Sequence, residues 1–525
     1  MEKLKISIIK GGREQSISAA KGNNLLSILI DSGIYVSAPC AGRGLCGKCK
    51  IQMLQGVTKA TTEDKKFFSE EELKAGYRLS CLSLPDEDCR VRLCQDDEED
   101  FDVVAEYNND KQDEANSTVM GAKENNQKIY DIAIDIGTTT IAISLVETLN
   151  NKIENVVTTV NHQRKYGADV VSRIQASIDG MKQELQSTIR RDLADGIKRL
   201  ADEAEINLSQ IQNIVIAANT TMIHLLMGYP CDTLGVAPFT PYEIEEINSN
   251  FQELFGDALD IGVTILPGIS TYVGADIVAG LMACGFDKSE KINAFVDLGT
   301  NGEMAIGNKD KILVTSTAAG PAFEGGNITC GIGSIKGAIC HVDIENGKAE
   351  CQTIGDAPMT GICGTGIIES TYELLKAGLL DETGMLADEY FETGYELGAA
   401  PDGKQIVYTQ EDIREIQLAK SAIRAGLETL IRRYGVDYQR IDRLYLAGGF
   451  GYRMNIEKAI GIGLFPEELK DKIVPVGNSS LNGAALYLKS EKQKQSARNI
   501  VNTAEEISLA MDDDFNQFYM DYMFF

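Results

Sequence analysis

Alternating apolar and polar positions open the chain, where KLKISIIK and then EQSISAA read as short strands with a period of two. Strands and turns continue to about residue 94, so residues 1–94 form a compact β-rich module. The pattern then stops. From Gln95 to Lys128 the chain reads QDDEEDFDVVAEYNNDKQDEANSTVMGAKENNQK, acidic and Asn-rich, with too few apolar residues to offset the entropy of ordering. An acidic flexible linker is predicted over 95–128. From Ile129 onward, apolar strands ending in Gly/Thr turns alternate with helical stretches such as MKQELQSTIRRDLADGIKRLADEA, the mark of an α/β protein. One segment, YDIAIDIGTTTIAISL at 130–145, is echoed by AFVDLGTNGEMAIG at 294–307, which predicts two similar lobes. The expected division is 129–206 with the first hairpin, 207–490 with the second, and a tail over 491–525.

Length and charge narrow the classes. A chain of 525 residues exceeds one hydrophobic core. With 50 Lys+Arg against 78 Asp+Glu, its net charge of -28 repels phosphate backbones and anionic lipid, so neither nucleic acid nor membrane is an expected partner. The opening MEKLKISIIKGG lacks the apolar core of a signal peptide, and later apolar runs are broken well short of a membrane span, which predicts a cytoplasmic protein.

Twelve cysteines in such a chain are not expected to form a disulfide framework. Their spacing carries the information. Cys40, Cys46 and Cys49 lie in APCAGRGLCGKCK and Cys81 in YRLSCL, giving C-x5-C-x2-C and a fourth thiol further on. Four thiolates, three of them in a loop whose glycines at 42, 44 and 47 let backbone amides face sulfur, fit a 2Fe-2S cluster. A structural zinc site also takes four thiolates but more often uses two C-x2-C pairs, of which only one is present. The x5 spacing resembles that of adrenodoxin-like ferredoxins. Cys89, Cys94, Cys231, Cys284, Cys330, Cys340, Cys351 and Cys363 form no second ligand set, and most are expected to be small buried hydrophobes.

In DIGTTT a strand delivers Asp135 to a turn of Gly137, Thr138, Thr139 and Thr140, where backbone N–H groups and hydroxyls can meet a phosphate. DLGTNGE repeats this with Asp297, Gly299, Thr300 and Asn301. A carboxylate at each hairpin suits Mg²⁺, so Asp135 and Asp297 are its candidates and Glu303 a candidate for orienting the attacking water. In RLYLAGGFG a strand runs into Gly448, Gly449 and Gly451, where adenosine could lie against bare backbone, and the helical REIQLAKSAIRAGLETL offers Lys420 to the nucleotide. Neither a P-loop nor a dinucleotide-binding glycine motif is present. ATP is the expected ligand.

The order of hairpin, second hairpin and glycine turn resembles the superfamily of actin, sugar kinases and heat-shock ATPases over residues 129–490. A 2Fe-2S domain joined to such an ATPase resembles the reductive activators of corrinoid proteins over nearly the whole chain. NHQRKYGADVVSRI, AANTTMIHLL, AAGPAFEGGNITCGIGSIKGAI and CGTGIIE also look like that family, although spacing alone does not explain their chemistry. The resemblance implies a β-grasp 2Fe-2S ferredoxin-like N-terminal domain, a linker and a two-lobed actin-like ATPase, an α+β and α/β multidomain chain. It implies ATP-dependent return of a corrinoid protein from Co(II) to Co(I) in methyl-transfer metabolism. The electron would come from a low-potential donor such as a ferredoxin or flavodoxin, and a homodimer is plausible for the fold. Within the resembling stretches, His224 reads more simply as packing than as catalysis, and Gly325-Gly326 as a loop. Alternatives are an activator of a 2-hydroxyacyl-CoA dehydratase, against which the N-terminal cysteines argue, a small-molecule kinase with a redox-sensing cluster, and a redox scaffold that binds nucleotide without turnover.

Overall fold

The computed structural model describes residues 3–10, 13–32, 34, 36, 44, 47, 49–56, 58–94, 128–449 and 451–525. The predicted linker, Lys128 apart, lies outside the described residues, as do Cys40 and Cys46.

Strand β1 (Lys3–Lys10) alternates exposed and buried positions, so Leu4, Ile6 and Ile8 share one face. It pairs antiparallel with β2 (Arg13–Ala20). With β3 (Lys50–Gln55), β4 (Tyr77–Leu79) and β5 (Cys89–Leu93) these strands make one sheet in the order β2-β1-β5-β3-β4, in which β1 and β5 run parallel. Helix α1 (Leu25–Asp31) contributes Leu25, Ile28 and Leu29 to a core shared with Ile6, Ile8, Ile51 and Val91. This is the expected β-grasp form.

The first lobe begins with a meander of β6 (Tyr130–Ile136), β7 (Thr140–Glu147) and β8 (Lys152–Val160). Strand β9 (Ile211–Ala218) joins parallel to β6, and β10 (Ile247–Asn250) and β11 (Gly262–Ile265) complete a sheet in the order β10-β11-β9-β6-β7-β8. Helices α2 (Val170–Ala176), α3 (Lys182–Glu203) and α4 (Thr220–Met227) belong to this lobe, and α5 (Ala275–Ala283) leads out of it.

The second lobe repeats the plan. A meander of β12 (Ile292–Leu298), β13 (Gly302–Asn308) and β14 (Lys311–Thr317) is followed by an inserted sheet of β15 (Ala338–Glu345), β16 (Lys348–Thr353) and β17 (Gly361–Ile362), and by the pair β18 (Tyr395–Ala399) and β19 (Gln405–Tyr408). Helices α6 (Gly364–Lys376) and α7 (Gln410–Tyr434) lie in this half. Then β20 (Ile441–Ala447) and β21 (Ile473–Gly477) add parallel to β12, and α8 (Ser479–Tyr487) returns to pack on α5 and β6. In both central strands the acid is the next-to-last residue, and in β6 only Asp135 escapes full burial. The apolar residues before each acid fix it at the sheet end, where the wall opens.

Two expected boundaries are corrected. The break between 206 and 207 does not divide the fold: β9 follows it yet pairs with β6, Ile134 opposite Ile216, so the first lobe runs on through β11. Helical periodicity in α3 cannot show that the next strand returns to the same sheet. Nor is 491–525 a tail. Helix α9 (Glu491–Thr503) buries Ala497 and Ile500, β22 (Ala504–Glu506) pairs with β14 at the sheet edge, and α10 (Asp513–Asp521) packs on α7 beside an Arg433–Asp512 ion pair of 2.7 Å.

Candidate functional site

A cleft of about 300 Å³ opens between the lobes. The first hairpin contributes Asp135, Gly137, Thr138, Thr139 and Thr140, and the second Asp297, Gly299, Thr300, Asn301 and Glu303. Gly448 and Gly449 line it too, together with Asn219, Asp276, Glu324, Asn478 and Ser480, which the sequence did not single out.

The first hairpin is held from behind. Gly137 O accepts from Asn161 Nδ2 at 2.9 Å, Thr138 O from Arg173 Nη2 at 2.6 Å, and Thr139 O from Asn161 N at 2.9 Å. Carbonyl and N–H lie on opposite sides of a trans peptide, so anchoring the carbonyls of Gly137 and Thr138 turns the following amides of Thr138 and Thr139 the other way. Amides turned together in this way suit an anion. Asn219, the N-cap of α4, accepts from Met222 N at 2.9 Å and donates from Nδ2 to Thr138 Oγ1 at 3.2 Å. Here lies the chemistry of NHQRKYGADVVSRI and AANTTM that spacing could not reveal: these stretches supply the backing of the hairpin. His224, by contrast, is packing. Its Nε2 accepts from Tyr242 N at 2.9 Å, so its Nδ1 carries the proton donated to Thr220 O at 2.7 Å, and burial holds its pKa below the usual value.

Carboxylates dominate the remaining walls. Asp135 accepts from Asn478 Nδ2 and Ser480 Oγ, each at 2.8 Å, across the turn that starts α8. Thr300 Oγ1 donates to Glu324 Oε2 at 2.8 Å, so the second hairpin's hydroxyl is engaged by an acid. Each of these acids keeps a face open to the cleft while protein crowds out water on its other sides. That burial raises Asp135 against its two hydrogen bonds, and raises Glu324. Burial and then Asp135 push Asp276 up to about 7; burial with Asp276, Asp135 and Glu324 does the same to Asp297. Glu303 is carried well above the ordinary range by burial beside Asp276 and Asp297. Asp276 was missed in the sequence, although a lone acid opening the apolar run GADIVAGLMA was a signal. The cleft is an oxygen-rich site short of positive charge, and hard oxygen donors of this kind fit Mg²⁺.

Gly448 has φ +92°, and a side chain there would meet Leu298 O at 2.6 Å and Asp297 Oδ1 at 3.0 Å. Only bare backbone fits that turn. Lys420 is a correction: its fully buried ammonium donates to Tyr522 O at 2.8 Å and to Phe524 O, with the Phe525 ring at 4.8 Å, and does not line the cleft. Burial and then Arg424 lower its pKa to about 7. The helical pattern that offered Lys420 to the nucleotide could not show that residues 522–525 cover it on the buried side of α7.

In the N-terminal domain Cys49 and Cys81 are buried with their sulfurs 3.3 Å apart, and their mutual hydrogen bond draws Cys49 down to about 6 against the effect of burial. Gly47, at φ +66°, could carry no side chain without meeting the Phe67 ring at 2.4 Å. Two converging thiols, one inclined to ionise, suit iron ligation. Cys40 and Cys46 fall outside the described residues. Of the other cysteines, Cys89, Cys231 and Cys363 are buried, Cys284, Cys330, Cys340 and Cys351 are half-buried, and Cys94 is exposed.

Comparison with known families matches residues 8–86 to a 2Fe-2S iron-sulfur cluster binding domain, 130–289 to the RACo middle region, and 291–525 to the C-terminal domain of RACo, the ASKHA domain. The chain belongs to the reductive activators of corrinoid proteins. This activator is 28% identical to the corrinoid activation enzyme RamQ of Eubacterium limosum, over 97% of both chains. It is 27% identical to the [Co(II) methylated amine-specific corrinoid protein] reductase of Methanosarcina barkeri, over 75% of this chain and 76% of that one. A solved structure described as a reductive activator for corrinoid, iron-sulfur protein aligns with a TM-score of 0.70 at 28% identity, covering 99% of this activator and 98% of that chain. The two RACo segments follow the two lobes seen in the sheets, with the junction after residue 289 rather than at 206.

Proposed function

We propose that this chain uses ATP to drive one-electron reduction of a corrinoid protein from Co(II) to Co(I) in methyl-transfer metabolism. The observation that carries this reading is the joining of a ferredoxin-type domain to a two-hairpin acidic cleft, in a chain similar from end to end to a relative named for corrinoid activation. When bound, the 2Fe-2S cluster supplies single electrons. Cys49 and Cys81 would hold it, together with Cys40 and Cys46.

The residues of the cleft divide the work. Amides of the first hairpin, aimed by Asn161 and Arg173, would take the polyphosphate of ATP. Asp135 and Asp297 would hold Mg²⁺ through its waters, and Glu303 or Asp276 would orient the attacking water. The glycine turn at 448–449 would receive adenosine. Reducing Co(II) is uphill, and each 59 mV of mismatch costs a factor of about ten in a one-electron step. ATP helps only if its bound and hydrolysed states favour different lobe arrangements, because coupling is differential binding. Asn478 and Ser480 suit such a link, since they join the return helix α8 to the Asp135 carboxylate.

A low-potential donor such as a ferredoxin or flavodoxin would load the cluster. No helix among the described residues is long and apolar enough to cross a membrane, and a cytoplasmic, homodimeric protein with no nucleic-acid partner fits the reading. The test combines the reconstituted protein, a cob(II)alamin-bearing partner, reductant and Mg-ATP, and follows the cob(I)alamin absorption band. Growth of that band only with ATP is expected. Equal reduction without ATP, or formation of a phosphorylated small molecule instead, would overturn the proposal.

A further inference from the structure

Arg173 is among the largest side chains in the protein with no exposed surface. Its acceptors are the carbonyls of Gly167, at 2.9 Å from Nε, and Thr138, at 2.6 Å from Nη2, and the sulfur of Met222, at 3.3 Å from Nη1. None of the ion pairs among the described residues includes it. The nearest acids use their oxygens elsewhere: Asp169 caps α2 by accepting from Ser172 N at 2.7 Å, and Asp192 accepts from His162 N and Nδ1, each at 2.9 Å. A buried Arg without a paired carboxylate is costly, and burial, with the Arg164 charge beside it, lowers its pKa to about 9 against the pull of Asp169 and Asp192. The protein nevertheless places this charge one peptide behind the hairpin that faces the cleft.

We propose that Arg173 is a positioning residue of the first hairpin whose guanidinium charge is left for a bound polyphosphate to balance. The inference rests on reading the cleft as an ATP site and says which part of the ligand Arg173 serves. Two effects act through one hydrogen bond. Donation to Thr138 O keeps the Thr139 amide turned toward the opposite side, and the positive charge adds to the field along that peptide. Both effects act at the peptide between Thr138 and Thr139, on the hairpin assigned to phosphate and not on the glycine turn assigned to adenosine, so the contribution of Arg173 should grow with the number of phosphates.

Calorimetric titration of the full chain with Mg-ATP, Mg-ADP and adenosine tests this, comparing the parent protein with Arg173→Gln and Arg173→Lys. Arg173→Gln is expected to weaken ATP by about tenfold or more, the range for a hydrogen bond to a charged group, ADP by less, and adenosine not at all. Arg173→Lys, which keeps the charge, is expected to recover most of the loss. Equal losses for all three ligands would mark a merely structural residue and overturn the proposal, as would no loss for ATP. If Arg173→Gln does not fold, the parent protein decides: inorganic tripolyphosphate with Mg²⁺ should raise its melting temperature, and no rise would overturn the proposal. A parent protein that binds no ATP would overturn the reading of the cleft itself, a different failure from ATP binding that ignores Arg173.

Discussion

The two hairpins of the cleft share a strand position and differ in what stands behind them. Asp135 and Asp297 each precede the last residue of a central strand that begins an antiparallel meander. Behind the first turn are amides and a guanidinium, from Asn161, Asn219 and Arg173. Beside the second are Glu324, on the Thr300 hydroxyl, and Glu303, paired across the ladder with Asp297. The repeat has kept the backbone and parted the charges. Beyond the paired carboxylates, the first hairpin is backed by donors that suit an anion and the second by acids that suit a cation, so the triphosphate and metal of the proposed function would have distinct places to go.

If that division holds, Asp297→Asn produces the largest effect. It removes a cation-facing carboxylate while leaving the anion side intact, so the Mg²⁺ concentration for half-maximal ATP hydrolysis should rise by up to about a hundredfold. An unchanged Mg²⁺ requirement would break the comparison. Glu324→Gln comes next, because its amide oxygen can still accept from Thr300 while the negative charge is gone. Nucleotide binding in the presence of a chelator should strengthen by about tenfold, measured by calorimetry.

The acid side also predicts a pH dependence. Folding raises the pKa of Asp276 and Asp297 from the ordinary carboxylate range to about 7, so between pH 4 and 7 the folded state binds more protons than the unfolded state. Their contribution to stability is complete below the unfolded pKa and is lost as pH rises through about 7. The ligand-free protein should melt roughly 5 °C lower at pH 8 than at pH 5, and Mg-ATP should flatten that slope. A melting temperature that rises over the same interval would contradict the assignment. The smallest effect belongs to Lys420→Met. Its ammonium serves the C-terminal carbonyls rather than either hairpin, so ATP affinity should change by less than about twofold, and a larger loss would reopen its assignment to the nucleotide.

Much of this was legible in the chain before any fold was known. Period-two strands, Cys40, Cys46, Cys49 and Cys81, and the repeated Asp-x-Gly-Thr turns are local patterns, and local patterns follow from backbone geometry and residue chemistry a few positions apart. They were enough for the β-grasp domain, the two lobes and both hairpins. Tertiary structure decided what depends on long-range pairing. It carried β9 back beside β6 across the expected boundary, and folded the supposed tail onto β14 and α7. It drew Lys420 away to residues 522–525, set Arg173 behind the first hairpin, and brought Asn219, Asp276, Glu324, Asn478 and Ser480 to the cleft from distant segments. A side chain's charge is written in the sequence; which other charges it meets, and how much water remains between them, is set only when the lobes close around it.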